Sequence, residues 1–166
     1  SIEFFNWLTE YRFNLTATRE ISIHRDDKTK VIEIFSSVMI IKTLLMIFSF
    51  IILLLIINIF SKFSYNSEIY IYTFGTVIGQ MLFPVWFFQG IEKMKYITYL
   101  NILTKIIFTI LIFVFIQKES DYYLVPILTS LGFIISGIIS FILIFKKFNI
   151  YFLWQDIDTL KYYIKE

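Results

Sequence analysis

The sequence contains no cysteine and a single histidine, His24. Without cysteine, the chain can form no disulfide, no cysteine-based zinc site and no iron–sulfur cluster, and it has no thiol nucleophile. One histidine excludes the metal motifs that need two. His24 lies in the charged stretch REISIHRDDKTK, where we expect a solvated loop residue. Because phosphate-binding glycine loops, nucleic-acid motifs and catalytic constellations are also missing, we predict no enzyme, no cofactor and no nucleic-acid partner.

Charged residues are scarce as well: they make up 17% of the chain, against a hydrophobic share of 58%. Ordinary globular domains are nearer a quarter charged, so this composition is typical of membrane proteins. About 20 apolar residues cross the hydrocarbon core as a helix. Long apolar runs therefore predict spans at residues 34–60, 69–88, 96–116 and 123–145, preceded by the end of another span at residues 1–20.

These spans predict an all-α fold, a polytopic transmembrane helix bundle in one domain over residues 1–166. The chain lacks an initiating methionine and opens inside an apolar segment with no signal-peptide features, so we interpret it as a piece of a longer protein. Residues 151–165 differ from the spans, because Leu153, Ile157, Leu160 and Ile164 recur at helical spacing among charges. This pattern predicts an amphipathic interfacial helix, or alternatively the lead-in to a further span.

Basic residues predict the orientation of the bundle. Of the connections between the later spans, those on one side hold only Lys62 and Lys118. The other connections and the tail hold most of the basic residues: Arg19, Arg25, Lys28, Lys30, Lys93, Lys95, Lys146, Lys147, Lys161 and Lys165. By the positive-inside rule, the basic connections face the cytoplasm.

The third span carries a polar stripe, because Thr98, Asn101, Lys105 and Thr109 share one helix face. A lysine deep in a membrane usually faces a bundle interior or a wet cavity. We therefore predict an interior position for Lys105, with snorkelling or a structural ion pair as alternatives. Lys42 is shallower and reaches the interface more easily.

The opening segment carries a second polar ridge, formed by Glu3, Asn6, Glu10 and Asn14 at the same helical spacing. Arg12 and Arg19 lie on the opposite side. A helix that faces lipid could not have this many charged and polar side chains, so the pattern indicates an interior helix that lines a polar path. The alternative is an interfacial helix outside the membrane.

Small residues and one proline mark the second span. Gly75 and Gly79 form a GxxxG pair, which is typical of close helix packing. Pro84 is predicted to kink the span, with Trp86 approaching the interface. The dipeptide Gln89-Gly90 is predicted to end the span.

Two stretches resemble segments of one family. EYRFNLTATREISIHRDD, from Glu10 to Asp27, resembles a segment near the second transmembrane helix of Wzx-type O-antigen flippases. There, an acidic residue, an aromatic, a glycine and FN precede L(S/T)ATR and a charged loop. FPVWFFQGIEKMKYIT, from Phe83 to Thr98, resembles the exit of the fourth helix, with its proline, Trp-Phe-Gln-Gly and Glu-x-Met turn. This chain departs from the family at Arg12, where glycine is common.

The resemblance implies a place in the multidrug/oligosaccharidyl-lipid/polysaccharide exporter superfamily. The Wzx-type flippases of this superfamily are multi-pass inner-membrane proteins of about twelve helices in two bundles, of which this chain would cover about helices two to six. They move undecaprenyl-pyrophosphate-linked sugar repeats from the cytoplasmic to the periplasmic leaflet. The implied partners are that lipid-linked oligosaccharide, membrane lipids and the missing carboxy-terminal bundle. A drug or cation exporter of the same superfamily, part of a polytopic membrane enzyme of polysaccharide assembly, and a structural membrane subunit are the alternatives.

The candidate substrate-binding residues follow from the polar faces. The cations would attract the pyrophosphate, the amides would bond sugar hydroxyls, and the carboxylate would balance charge or carry a coupling proton. They are Lys105, Lys42, Arg12, Arg19, Asn14, Asn101, Gln89 and Glu10.

Overall fold

A computed structural model describes residues 14–60, 65 and 67–165 of the chain. Every regular element in these residues is a helix, which confirms the all-α prediction. Residues 14–24 form α1. The later elements are α2 (Lys28–Ile59), α3 (Ser67–Met81), α4 (Val85–Gly90), α5 (Met94–Phe115), a 3₁₀ helix (Glu119–Tyr123), α6 (Leu124–Lys146) and α7 (Ile157–Lys165).

Helix α2 is 32 residues long and begins at Lys28, earlier than the apolar run predicted. The Asp27 side chain caps its first turn, because Oδ1 accepts hydrogen bonds from the backbone N–H groups of Thr29 and Lys30 at 3.1 and 3.2 Å. Such a cap satisfies N–H groups that otherwise have no helical partner. The cap, rather than the start of the hydrophobic sequence, therefore determines where α2 begins.

The second predicted span is two helices, not one kinked helix. α3 ends at Met81, and Pro84 precedes the first residue of α4. Proline has no N–H to donate to the carbonyl four residues earlier. The Gln80 carbonyl instead accepts from the Phe83 N–H at 3.0 Å, which closes a tight turn. Helix α4 ends at Gly90, at the position that the sequence predicted.

A Schellman motif ends α4. The Lys93 N–H donates to the Phe88 carbonyl at 2.9 Å, and the Glu92 N–H donates to the Gln89 carbonyl at 3.1 Å. Glu92 adopts the left-handed conformation that this motif requires, with φ of 59°. Its carboxylate lies 2.7 Å from Nη1 of Arg25, so the exit of α4 is joined to the turn between α1 and α2.

Two apolar clusters fill the bundle. The end of the bundle that carries most of the basic connections is called the basic end. The cluster at this end is centred on the fully buried side chains of Phe35, Trp86 and Phe87, whose rings contact one another. Helix α4 turns the Trp86 side chain into this core, so it contacts protein on all sides, and its depth relative to the membrane interface stays a prediction. The far-end cluster comprises Leu53, Ile57, Phe74 and Val77. Helix α2 contributes to both clusters and so links the two ends.

Helices α3 and α6 make the most extensive contact between the helices that the structure describes. Glycines allow this approach: an ideal Cβ on Gly79 would lie 2.4 Å from Cβ of Phe133, and one on Gly137 would lie 2.6 Å from Cβ of Leu82. Real Cβ atoms do not approach this closely. The small residues that the sequence assigned to helix packing therefore lie at a helix–helix contact.

The tail packs against the basic end of α2. The Leu153 N–H donates to Ser36 Oγ at 2.9 Å, and the buried Tyr163 hydroxyl lies 3.1 Å from Glu33 Oε1. Helix α7 begins at Ile157, later than the predicted start at residue 151, and Ile157 and Ile164 remain exposed. A location at the membrane interface stays a prediction for this tail. The arrangement of residues 1–166 as a single domain also stays a prediction.

Candidate functional site

A buried lysine on α2 is the centre of the candidate site. Lys42 is only 1% exposed, although apolar residues surround it along the helix. Its Nζ donates a hydrogen bond to Oδ1 of Asn14 on α1 at 3.0 Å. An ammonium removed from water requires polar partners, since the uncompensated charge costs several kcal/mol. Two of the predicted site residues therefore meet, and their contact holds α1 against α2.

The polar side of α1 continues one turn beyond Asn14. The Thr18 hydroxyl lies within hydrogen-bond reach of the Trp86 carbonyl, at 3.3 Å, and of Gln89 Oε1, at 3.5 Å. Gln89 is half-buried at the end of α4. This side of α1 thus presents polar groups to both α2 and α4. Glu10 and Arg12 lie outside the described residues, as do Glu3 and Asn6 of the predicted ridge.

Arg19 lies apart from the Lys42–Asn14 pair. Its exposed side chain lines a groove of about 490 Å³ together with Thr16, Tyr162 and Lys165. This groove lies between α1 and α7. Arg19 is consequently positioned to meet a ligand from the surface, not from the buried side of α1.

Lys105 and Asn101 lie on the outer face of α5. The predicted stripe does share one face, but that face is exposed, and Lys105 lies in a shallow apolar groove of about 290 Å³. The prediction that Lys105 faces the bundle interior is therefore wrong within the described residues. The reason is that α5 packs through its other side, where Thr104 Oγ1 lies 2.6 Å from Ser136 Oγ in a buried hydrogen bond.

An acidic cluster at the basic end was not predicted. Glu20 is buried near Glu33 and Tyr163, and nothing in its spacing distinguished it from a solvated residue. Burial, and secondarily the Glu33 carboxylate, raise the pKa of the Tyr163 hydroxyl well above its usual value. Tyr163 therefore stays protonated and can donate its hydrogen to Glu33.

His24 belongs to the same region. It ends α1 and is partly buried, with Nδ1 3.0 Å from the Glu20 carbonyl oxygen, so the prediction of a solvated loop histidine is wrong. Because His24 contacts the Glu20 backbone one helical turn earlier, its imidazole ring packs against α1 and is only partly exposed. Within residues 14–60, 65 and 67–165, no group of three or more His, Cys, Asp or Glu side chains could hold a metal ion.

The fold and this site define a class of protein. Four helical segments, Lys28–Ile59, Ser67–Gly90, Met94–Phe115 and Glu119–Lys146, are long and apolar enough to cross a membrane. Within them, a buried cation is held by a side-chain amide from a neighbouring helix. The chain is therefore a multi-pass helical membrane protein with a lysine–amide contact inside its bundle.

The family follows from comparison with known proteins. Residues 2–165 match the family described as "Polysaccharide biosynthesis protein", and the chain belongs to it. This membership confirms the family resemblance that the two sequence motifs predicted.

Two curated relatives, each named "Putative O-antigen transporter", are similar to this chain. The Escherichia coli (strain K12) protein is 33% identical over 131 residues, covering 79% of this chain and 32% of the relative. The Shigella dysenteriae protein is 29% identical over 145 residues, covering 84% of this chain and 35% of the relative. The chain thus spans about a third of the length of these relatives. No solved structure matches it.

Proposed function

We propose that the complete protein is a membrane transporter, not an enzyme, that flips a lipid-linked oligosaccharide. Its substrate would be an undecaprenyl-pyrophosphate-linked O-antigen or other polysaccharide repeat unit, moved from the cytoplasmic to the periplasmic leaflet of the bacterial inner membrane. The observation that carries the proposal is the buried Lys42 ammonium, bonded to Asn14 in the bundle of a polysaccharide-biosynthesis family member. Both curated relatives are named as O-antigen transporters, which supports it.

The chemistry of the substrate suits these side chains. Its pyrophosphate is anionic, and an ammonium on a partly desolvated helix attracts phosphate oxygens more strongly than one in water. The amides of Asn14 and Gln89 can exchange hydrogen bonds with sugar hydroxyls. The lipid tail stays in the bilayer, so only the headgroup needs a polar route. Glu10 and Arg12, which precede α1 in the sequence, would contribute further charges to that route, with Glu10 balancing charge or carrying a coupling proton.

The buried charge also bears on the alternative of a drug or cation exporter. A site for cationic drugs would use a buried carboxylate as its central charge, whereas the residue at the centre of this site, Lys42, is basic. We therefore favour an anionic headgroup. The remaining wall of the route would come from the carboxy-terminal bundle, which would also cover the exposed stripe of α5 and bring Lys105 and Asn101 to the substrate.

Deleting the gene from its host and restoring the complete protein tests the proposed function. The deletion is expected to remove surface polysaccharide and to leave its lipid-linked repeat unit on the cytoplasmic side, because assembly of the polymer follows translocation. Re-expression should restore the polysaccharide, as seen on gels of surface carbohydrate. Normal surface polysaccharide in the deletion strain would refute the proposal.

Lys105 provides a separate prediction. If the carboxy-terminal bundle covers α5, Lys105→Gln in the complete protein should lower surface polysaccharide by about tenfold. A hydrogen bond to a charged group contributes roughly 1.5–3 kcal/mol, enough for that loss. Lys118→Gln, in the connection before α6, is the matched control and should change little. If Lys105→Gln and Lys105→Leu both support normal assembly at equal protein levels, this side chain faces lipid and has no role in export.

A further inference from the structure

A cavity of about 370 Å³ opens at the basic end of the bundle, away from the Lys42–Asn14 pair. Three basic side chains line it: Arg25 from the turn before α2, Lys28 from the first turn of α2, and Lys93 from the exit of α4. Asp26 is the acidic residue of the lining. The lining therefore carries net positive charge, which favours an anion.

Arg25 also bonds Glu92, with 2.7 Å between Nη1 and Oε2. This ion pair does not close the cavity to anions. A guanidinium carries several N–H donors, so the pair with Glu92 leaves donors for a second anionic group. Arg25 is partly exposed, and Lys28 and Lys93 are exposed, so their head groups can rearrange around a ligand.

The rest of the lining is apolar. Phe87, Ile91 and Phe148 form much of it, and the Phe148 ring lies 6.1 Å from that of Phe87 and 5.5 Å from that of Tyr96. The Nζ atom of Lys147 lies 5.0 Å from the centre of the Tyr96 ring, which extends the basic rim around the apolar wall.

This combination distinguishes between two sources of phosphate. A free phosphate ion would use the basic rim but gain nothing from the aromatic wall. The phosphate of a membrane lipid brings glycerol and the start of its acyl chains, which the apolar wall can cover. The positive-inside rule places this end at the cytoplasmic leaflet, where anionic lipids meet basic loops.

We propose that this cavity, lined by Arg25, Lys28 and Lys93, binds the headgroup of an anionic phospholipid. The site is additional to the substrate route, and it does not depend on the proposed transport function. A resident phospholipid here would hold together the turn before α2, the exit of α4 and the end of α6.

The test is lipid binding to the complete protein in detergent, measured by native mass spectrometry with phosphatidylglycerol and phosphatidylcholine of equal acyl chains. The wild-type protein should retain phosphatidylglycerol in preference. In Lys28→Gln/Lys93→Gln, its affinity should fall roughly tenfold or more, since each lysine near an anionic surface contributes about 1 kcal/mol. Asp26→Asn should raise the affinity instead.

The matched control is Lys118→Gln/Lys161→Gln, which removes the same charge from exposed sites elsewhere. Equal retention of the two lipids by the wild-type protein would overturn the proposal, and so would equal losses in the two double variants. An excess of inorganic phosphate should not displace the phosphatidylglycerol. Full displacement would show that a soluble phosphate, and not a lipid, is the ligand. Because Asp26→Asn acts in the opposite direction, a folding defect cannot imitate the expected pattern.

Discussion

A Lys42→Met variant of the complete protein is expected to unfold at a somewhat lower temperature than the wild type and to lose most surface-polysaccharide assembly. Methionine nearly matches the length of lysine and fills the same space, but it leaves the groups that bonded the ammonium without their partner, at a cost of about 1–3 kcal/mol in the free energy of unfolding. The same change removes a charged hydrogen-bond donor for the pyrophosphate, worth roughly 1.5–3 kcal/mol, so assembly should fall tenfold or more. Gels of surface polysaccharide and thermal unfolding in detergent measure the two effects separately.

Asn14 provides the partner experiment. Asn14→Leu removes one hydrogen-bond partner of a buried ammonium and should lower the free energy of unfolding by about 1–3 kcal/mol. Adding Lys42→Met to that variant should cost less stability than the sum of the two single changes, because the pair is removed together, and it should restore none of the polysaccharide. Lys161→Met, at an exposed position, is the control and should affect neither measurement. Normal assembly by Lys42→Met at equal protein levels would show that this lysine has only a structural role.

A Gly79→Ala variant is expected to destabilise the bundle strongly, because its new Cβ would meet Phe133 Cβ at 2.4 Å and backbone atoms of α6 at 3.0 Å. Neither neighbour is the end of a flexible side chain, so the helices must move apart. Overpacking of this kind costs about 1–3 kcal/mol. Lower protein levels in the membrane and a lower unfolding temperature in detergent are the expected results.

Gly132→Ala is the matched control for Gly79→Ala. It makes the same chemical change in α6, but its Cβ would meet the nearest atom, the Thr104 carbonyl oxygen, at 3.5 Å. That distance is an ordinary contact, and alanine favours a helix over glycine by about 1 kcal/mol. Gly132→Ala should therefore be neutral or slightly stabilising. Equal stability of the two variants would contradict the close α3–α6 packing.

Much of this fold could be predicted because membrane helices need long apolar sequences. The helix ends at Gly90 and Phe115 lie close to the predicted ones. Other boundaries depend on individual side chains: Asp27 starts α2 before its apolar run, and Pro84 breaks a span that hydropathy alone treats as continuous. The packing face of α5 was predicted wrongly, because a polar stripe in a membrane helix does not reveal which side contacts a neighbour.

The candidate site was harder to predict for a related reason. Spacing along one helix can place Asn14 on a ridge, but its contact with Lys42 joins residues from different helices. The sequence predicts that Lys42 is the shallower of the two lysines and reaches the interface more easily, yet Lys42 is buried, whereas Lys105 is exposed. The contact of α1 with α2 and the packing side of α5 produce this difference, and no local pattern encodes either of them.

The length of α2 has a consequence for where this ammonium lies. A helix of 32 residues extends about 48 Å, well beyond a hydrocarbon core of about 30 Å. Even a tilt of about 40° would leave it too long, so its first turns, with Lys28 and Lys30, must project into the headgroup layer or the water beyond. For an untilted helix whose hydrocarbon part ends at Ile59, counting about 20 residues back reaches Ile40, which would place Lys42 just inside the boundary of the hydrocarbon. A charged headgroup that enters the membrane along this helix would then meet the Lys42 ammonium as soon as it leaves the headgroup layer.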